Sequence, residues 1–74
     1  MLLTKRRKTR RNELLEGLYQ TQDMLSDANT RFNTATQPEL IEQCVYEINA
    51  LRARHTFFMR ALREEDSSGE NQAV

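Results

Sequence analysis

The sequence is poor in the residues that cross-link or bend a chain: among 74 residues there are one cysteine, one proline, two glycines and no tryptophan. A single cysteine, Cys44, excludes an intramolecular disulfide and indicates a reducing compartment. The opening residues MLLTKRRKTRR lack the apolar stretch of a secretory signal. Apolar runs are far shorter than the roughly 20 residues that a membrane span needs. We therefore expect a cytoplasmic protein with no membrane contact.

A recognisable catalytic or cofactor motif is also missing. The sequence has no glycine-rich phosphate loop and no Glu-x-x-His motif of a di-metal helical bundle. Cys44 and His55 are eleven residues apart, or about 16 Å along a helix, too far for a shared metal or for a nucleophile and its base. We expect a non-enzymatic protein without cofactor, metal or small-molecule substrate. In it Cys44 is a small buried residue, and His55 lies at the edge of the core beside a polar neighbour.

What the sequence does contain is a regular helical pattern on both sides of the segment TATQPE. Apolar or small residues recur at alternating steps of three and four, the 3.5-residue period of a coiled coil. We predict an all-α fold with helices at about 12–35 and 37–63, between a basic arm at 1–11 and a disordered acidic tail at 64–74. Gly17 should weaken the first helix by about 1 kcal/mol relative to alanine. The first stripe consists of Leu14, Leu18, Thr21, Leu25, Ala28, Phe32 and Ala35, and the second of Ile41, Cys44, Ile48, Leu51, His55, Phe58 and Leu62.

The connection between the two helices is short, which favours an antiparallel hairpin, with a continuous bent helix as the alternative. Thr36 and Glu39 have the spacing of a capping box, and Pro38 would lie in the first helical turn. The second helix should therefore begin near residue 37.

The position of the corner also predicts which residues face each other. With the corner centred near residues 36 and 37, facing residues have numbers that sum to about 73. Leu25 then faces Ile48, and Leu18 faces His55.

Charge is strongly segregated along the chain, although the formal net charge is zero. Residues 1–11 carry six basic and no acidic side chains, whereas residues 12–74 carry five basic and eleven acidic ones. One interpretation is that the arm binds nucleic-acid phosphates, which needs clustered Lys and Arg and little geometry. The other is that the acidic end neutralises the arm within the molecule. The six cations are Lys5, Arg6, Arg7, Lys8, Arg10 and Arg11.

The predicted pairing of the helices bears on this choice because it brings Arg7 and Lys8 level with Asp66 and Glu65. Each exposed ion pair would contribute only about 0 to 1 kcal/mol and would be screened by salt. Attachment to an anionic membrane is the least favoured interpretation, since residues 1–3 offer too little apolar area to insert firmly.

The second helix carries a further apolar face that a two-helix hairpin cannot cover. At about 100 degrees per residue, five positions fall opposite the core stripe. Small alanines between two aromatic rings form a shallow groove suited to another helix, so we predict a protein interface, either for a homodimer such as a four-helix bundle or for a protein partner. The simpler interpretation is that alanine favours helix and that two exposed rings are ordinary. The five residues are Tyr46, Ala50, Ala53, Phe57 and Ala61.

The segment Pro38–Arg63, PELIEQCVYEINALRARHTFFMRALR, resembles the characteristic half of the YaaL-like family of small bacterial proteins. The resemblance lies in a Pro-Glu-Leu-Ile start, a central Tyr-Glu and an Ala-basic-aromatic run that ends in Leu/Met-Arg and a further basic residue. His55 stands where the family pattern has an aromatic residue, usually Tyr, so a role that needs a phenol is not implied here. The resemblance implies a helical cytoplasmic protein and supplies no activity, because the family is one of unknown function.

The two stripes make a direct prediction about stability. Leu25→Ala or Ile48→Ala should each cost on the order of 2 to 5 kcal/mol if both side chains are buried, enough to unfold a domain this small. Circular dichroism and thermal melting measure the effect. Variants with an unchanged helical signal and melting temperature would contradict the proposed stripes.

Overall fold

The computed structural model describes the backbone of residues 2–73 and the side chains of residues 9–67. Two helices, α1 (Leu2–Thr34) and α2 (Pro38–Ala73), pack against each other as an antiparallel hairpin. The hairpin measures 55 × 18 × 13 Å along its principal axes. The predicted all-α helical hairpin is therefore confirmed, and the continuous bent helix is excluded.

Both helices are longer than the sequence pattern predicts. α1 includes the backbone of residues 2–11 of the predicted arm, and α2 continues through the backbone of residues 64–73 of the predicted tail. The side chains of residues 1–8 and 68–74 lie outside the described residues, so the limits of the arm and the disorder of the tail stay predictions. The pattern marks only the part of each helix that packs, because its period comes from burial.

The connection at residues 35–37 reverses the chain without a left-handed backbone, and no described residue has a positive φ. The Ala35 amide donates to the Arg31 carbonyl at 2.9 Å, and the Ile41 amide donates to the Gln37 carbonyl at 3.0 Å. The second hydrogen bond makes Gln37 the N-cap of α2. Proline then occupies the first helical position, where its missing amide proton is harmless.

The predicted capping box is wrong by one residue. With Gln37 at the cap, Thr36 precedes the cap, and Glu39 occupies the second helical position where the motif needs the third. Glu39 still lies in the first turn of α2, where a negative charge interacts favourably with the helix N-terminus.

The buried core is a single narrow seam between the two helices. Its centre consists of Ala28, Ile48 and Leu51, with the half-buried Leu25 packed against them. The buried residues among those described are Leu18, Thr21, Ala28, Cys44, Ile48, Leu51 and Leu62. All seven belong to the two predicted stripes, so the helical period correctly identified the core.

Phe32 is a stripe position that the structure leaves exposed, at 38% of its surface, and the expectation that it lies in the core is wrong. It lies near the end of α1, where no third helix covers the open side of its large ring. Thr21 shows the opposite case, because it is polar and only 1% exposed. Its hydroxyl donates to the Gly17 carbonyl at 2.7 Å, so burial leaves no unpaired group there.

Facing residues are displaced from the predicted pairing. His55 lies against Gln22, with their Nε2 atoms 3.4 Å apart, although the corner predicted Leu18 as its neighbour. The Phe58 ring lies over Gly17. The cause is the direction of the Cα–Cβ bonds, which tilt toward the N-terminus of each helix.

In an antiparallel pair this tilt carries the side chains of α1 away from the turn and those of α2 toward it. The prediction matched residues whose backbones lie at the same height above the turn. Because of the tilt, the side chains that touch come from later residues on both helices, and the two residue numbers sum to more than about 73.

Gly17 has a packing role that its position in the pattern does not reveal. A Cβ atom added there would lie 2.5 Å from Phe58 Cε1 and 3.1 Å from Phe58 Cε2. Carbon atoms in ordinary contact need roughly 3.5 to 4.0 Å. The unfavourable helix propensity of this glycine is therefore offset by the room that it leaves for a ring from α2.

This contact predicts that Gly17→Ala has opposite effects in two backgrounds. In the unmodified chain the added methyl group overpacks against Phe58, so we expect a net loss of up to about 2 kcal/mol of unfolding free energy. In a Phe58→Ala background the ring is gone, and the same change should stabilise by up to about 1 kcal/mol through helix propensity. Urea denaturation of the four proteins measures both effects. Stabilisation of similar size in both backgrounds would contradict the contact.

Candidate functional site

The candidate site lies on the face of α2 that points away from the seam. Tyr46 is 67% exposed and Phe57 is 56% exposed. Ala50 and Ala53 are exposed between them, and Ala61 is half-buried. We refer to these five predicted interface residues as the outer stripe: Tyr46, Ala50, Ala53, Phe57 and Ala61. α1 leaves the two rings and two of the alanines accessible, and their role as an interface stays a prediction.

One contact links the outer stripe to the interior of the hairpin. Phe57 and Phe58 meet edge to face, with ring centroids 5.3 Å apart and ring planes at 68°. Phe58 itself is half-buried over Gly17. The exposed ring of Phe57 is thus supported by a ring that is packed against α1, an arrangement that aromatic pairs prefer.

Further apolar side chains are exposed outside the outer stripe. Apart from Phe32, which belongs to the first stripe, they fall at positions that follow neither stripe, and no sequence signal distinguished those from ordinary surface residues. They are Tyr19, Met24, Phe32, Leu40, Val45 and Met59. Together with Tyr46 and Phe57 they make eight exposed large hydrophobic residues, against six hydrophobic residues that are buried in the described part of the chain. An isolated hairpin therefore leaves more large apolar side chains in water than it buries.

The basic arm and the acidic end of the hairpin do meet. Arg10 Nε lies 3.3 Å from Glu65 Oε2, and Arg11 Nη1 donates to Asp66 Oδ1. The sequence paired these acids with cations at positions 7 and 8, whose side chains lie outside the described residues. The observed partners are two positions farther along α1 for Glu65 and four for Asp66, in the direction expected from the tilt of the side chains.

These ion pairs are exposed and therefore weak. Arg10 keeps 67% and Asp66 keeps 58% of its side chain in solvent. Each pair contributes about 0 to 1 kcal/mol and is screened by salt. Two of the six arm cations thus have a carboxylate partner, which supports neutralisation within the molecule for those two. Lys5, Arg6, Arg7 and Lys8 have side chains outside the described residues, and nucleic-acid binding by the arm stays a prediction.

A third ion pair joins the helices nearer the turn. Arg31 Nη2 lies 3.2 Å from Glu47 Oε1. The same carboxylate oxygen is shielded from solvent and has no hydrogen-bond partner, so the angle at this distance is wrong for a hydrogen bond and the contact is electrostatic only.

The two residues considered for catalysis, Cys44 and His55, both lie on α2. Cys44 is buried in the seam, and half-buried His55 has the polar neighbour Gln22. Among the side chains that the structure describes, no three of His, Cys, Asp or Glu are grouped to hold a metal ion. Within the same part of the chain, neither helix is long and apolar enough to cross a membrane. The described surface carries exposed apolar side chains and exposed charged groups.

These features define a class: a small all-α hairpin protein with one packed seam and one uncovered apolar face. Residues 2–68 match the model of the family described as "Protein of unknown function (DUF2508)", and the chain belongs to that family. No curated protein and no solved structure matches the chain. The family description states no activity.

The ion pairs predict how the arm responds to the loss of its carboxylate partners. If the arm binds phosphates, Glu65→Gln with Asp66→Asn should tighten nucleic-acid binding, because Arg10 and Arg11 lose competing partners. The affinity should fall steeply with salt, with a slope of roughly 0.9 for each phosphate neutralised. Filter binding to DNA and RNA measures both.

The matched control is Glu39→Gln with Glu42→Gln, which changes the net charge equally at the other end of the hairpin. Equal tightening by both double variants would show a net-charge effect only. No complex of any of these proteins at micromolar concentration and about 50 mM salt would end the phosphate interpretation.

Proposed function

We propose that this protein is a small, non-enzymatic helical interaction protein that binds a second copy of itself or a protein partner through the outer stripe. The observation that carries the proposal is the exposure of two aromatic rings on one face of α2, Tyr46 at 67% and Phe57 at 56%.

The narrow core supports this proposal on energetic grounds. A 74-residue chain buries a modest fraction of its surface, and short folds of this kind commonly gain stability by association. Covering a large apolar side chain contributes about 1.5 to 3 kcal/mol. That amount is substantial for a small domain, whose total stability is typically about 5 to 15 kcal/mol.

The shape of the outer stripe favours a helix as the binding element. Ala50 and Ala53 are small and exposed, so another helix can approach closely between Tyr46 and Phe57. Phe57 already packs edge to face on Phe58, so binding should restrict its ring only slightly. An aromatic anchor of this kind is the residue type that most often dominates the energy of an interface.

The cellular setting is a further part of the proposal. Cys44 is a free, buried thiol, as is usual for a protein of a reducing cytoplasm. The resemblance of Pro38–Arg63 to the YaaL-like proteins adds a small bacterial protein as the setting. It adds no activity.

Phe57→Glu should abolish binding through the outer stripe, because it places a charge where apolar contact is required. Tyr19→Glu is the matched control, since Tyr19 is an exposed aromatic residue of similar exposure, 59%, on the other helix. Sedimentation velocity reports self-association. Circular dichroism and melting temperature report whether each variant still folds.

For a heterologous partner, the same three proteins serve as immobilised baits in nuclease-treated extract of the native cell. The proposal requires a protein that the unmodified chain and Tyr19→Glu retain and that Phe57→Glu loses. If Phe57→Glu matches the unmodified protein both in sedimentation and in capture, the outer stripe is not a binding site.

A further inference from the structure

The order of large and small residues along the outer stripe has an internal symmetry. From the N-terminal end, a large side chain at Tyr46 is followed by two small ones at Ala50 and Ala53, a large one at Phe57 and a small one at Ala61. If the order is reversed about a point between residues 53 and 54, each aromatic residue coincides with an alanine. A twofold axis perpendicular to a helix places each residue opposite the residue at the reversed position in the second copy. A stripe in which large residues then face small ones therefore fits a second copy of itself.

From this symmetry we propose that the occupant of the outer stripe is a second copy of this chain, whose α2 packs antiparallel to the first. This inference rests on the proposed function and names the partner. Phe57 then packs against Ala50 of the second copy, and Tyr46 packs against Ala61 of the second copy. Ala53 lies beside the twofold axis and meets its own counterpart.

Packing favours this arrangement over the parallel one. In the antiparallel pair each ring fills the space that an alanine leaves, so large and small residues alternate across the interface. A parallel pair would place Phe57 against Phe57 and Tyr46 against Tyr46. It would also leave gaps where Ala50 meets Ala50 and Ala53 meets Ala53, and both overpacking and voids are destabilising.

The charged residue closest to the proposed axis does not oppose the contact. In an antiparallel pair with a twofold axis, Arg54 of one copy is near Arg54 of the other. Within the hairpin, however, Arg54 is directed toward α1, where its Nη1 lies 3.8 Å from Met24 Sδ. The two guanidinium groups are thus held at the outer edges of the interface, next to solvent.

The position of the outer stripe also determines the order of helices in the dimer. On α2 it lies nearly opposite the stripe that packs against α1. The two α2 helices therefore pair in the middle with an α1 on each outer side, an extended four-helix layer. A closed four-helix bundle, the example of a homodimer given from the sequence, would need the two contact faces of α2 to be closer together.

The direct test exchanges the large and small residues. Sedimentation equilibrium should show a dimer for the unmodified protein. Phe57→Ala should weaken the dimer about tenfold or more by removing the ring, and Ala50→Phe should weaken it to a similar degree by overpacking. The double variant Ala50→Phe with Phe57→Ala should recover to within about threefold of the unmodified protein, because each new ring again meets an alanine.

A second measurement covers the case in which the ring variants fail to fold. In a Cys44→Ala background, Ala53→Cys should form a disulfide-linked dimer under mild oxidation, since the two positions are adjacent at the axis. Gln20→Cys, at an exposed position on α1, is the control. After the same oxidation it should stay monomeric on a gel run without reductant.

Three results would overturn the inference. One is a double variant no tighter than the single variants, and another is cross-linking at Gln20→Cys as efficient as at Ala53→Cys. The third is an unmodified protein that is monomeric up to high micromolar concentration. In that last case the proposed function survives only if a different protein binds in the capture experiment and is lost with Phe57→Glu, so the two failures are distinguishable.

Discussion

Each helix of a two-helix hairpin can bury only one side, and the interlocking of those two sides along one seam is the interaction on which the rest of this structure depends. The seam is formed by residues such as Ala28, Ile48 and Leu51, which are small or branched and pack without polar atoms. Burial on one side of α2 leaves its other side in water. The accessibility of Tyr46 and Phe57 is thus a direct consequence of a fold with only two helices.

The seam also determines what happens at the open end of the hairpin. Side chains tilt toward the N-terminus of their own helix, so the pairing along the seam is displaced toward later residues on both helices. Gln22 with His55, Gly17 with Phe58 and the arginines of the arm with Glu65 and Asp66 share this displacement. Local contacts at the ends therefore follow from packing in the middle, and the weak exposed ion pairs add little to the energy.

The sequence predicted the parts of the fold that depend on periodicity. The two stripes contain every residue buried in the described part of the chain, and the hairpin follows from a short connection. The observed facing residues differ from the predicted ones because the prediction used only the height of each residue along the backbone and not the direction of its side chain. The role of Gly17 could not be predicted, since it depends on a ring that is distant in sequence and near only after folding. Phe32 was misassigned because a periodic position near a helix end has fewer neighbours than one in the middle.

Only part of the candidate site, likewise, could be predicted from the sequence. The outer stripe could be located by helical geometry alone, whereas Met24, Leu40, Val45 and Met59 are exposed at positions that carry no pattern. The support of Phe57 by Phe58 depends on where the ring of Phe58 is packed, which in turn depends on Gly17. Charge clustering located the arm, but only the folded pairing showed that Arg10 and Arg11 have carboxylate partners.

The measurement that tests the central claim most directly is a dilution series followed by NMR, with chemical shifts of backbone amides and aromatic rings recorded residue by residue. If the outer stripe binds a second copy, shifts should change with concentration at Tyr46, Ala50, Ala53 and Phe57 along one face of α2. Shifts that are constant over the whole range, or that change mainly around Tyr19 on α1, would contradict the claim.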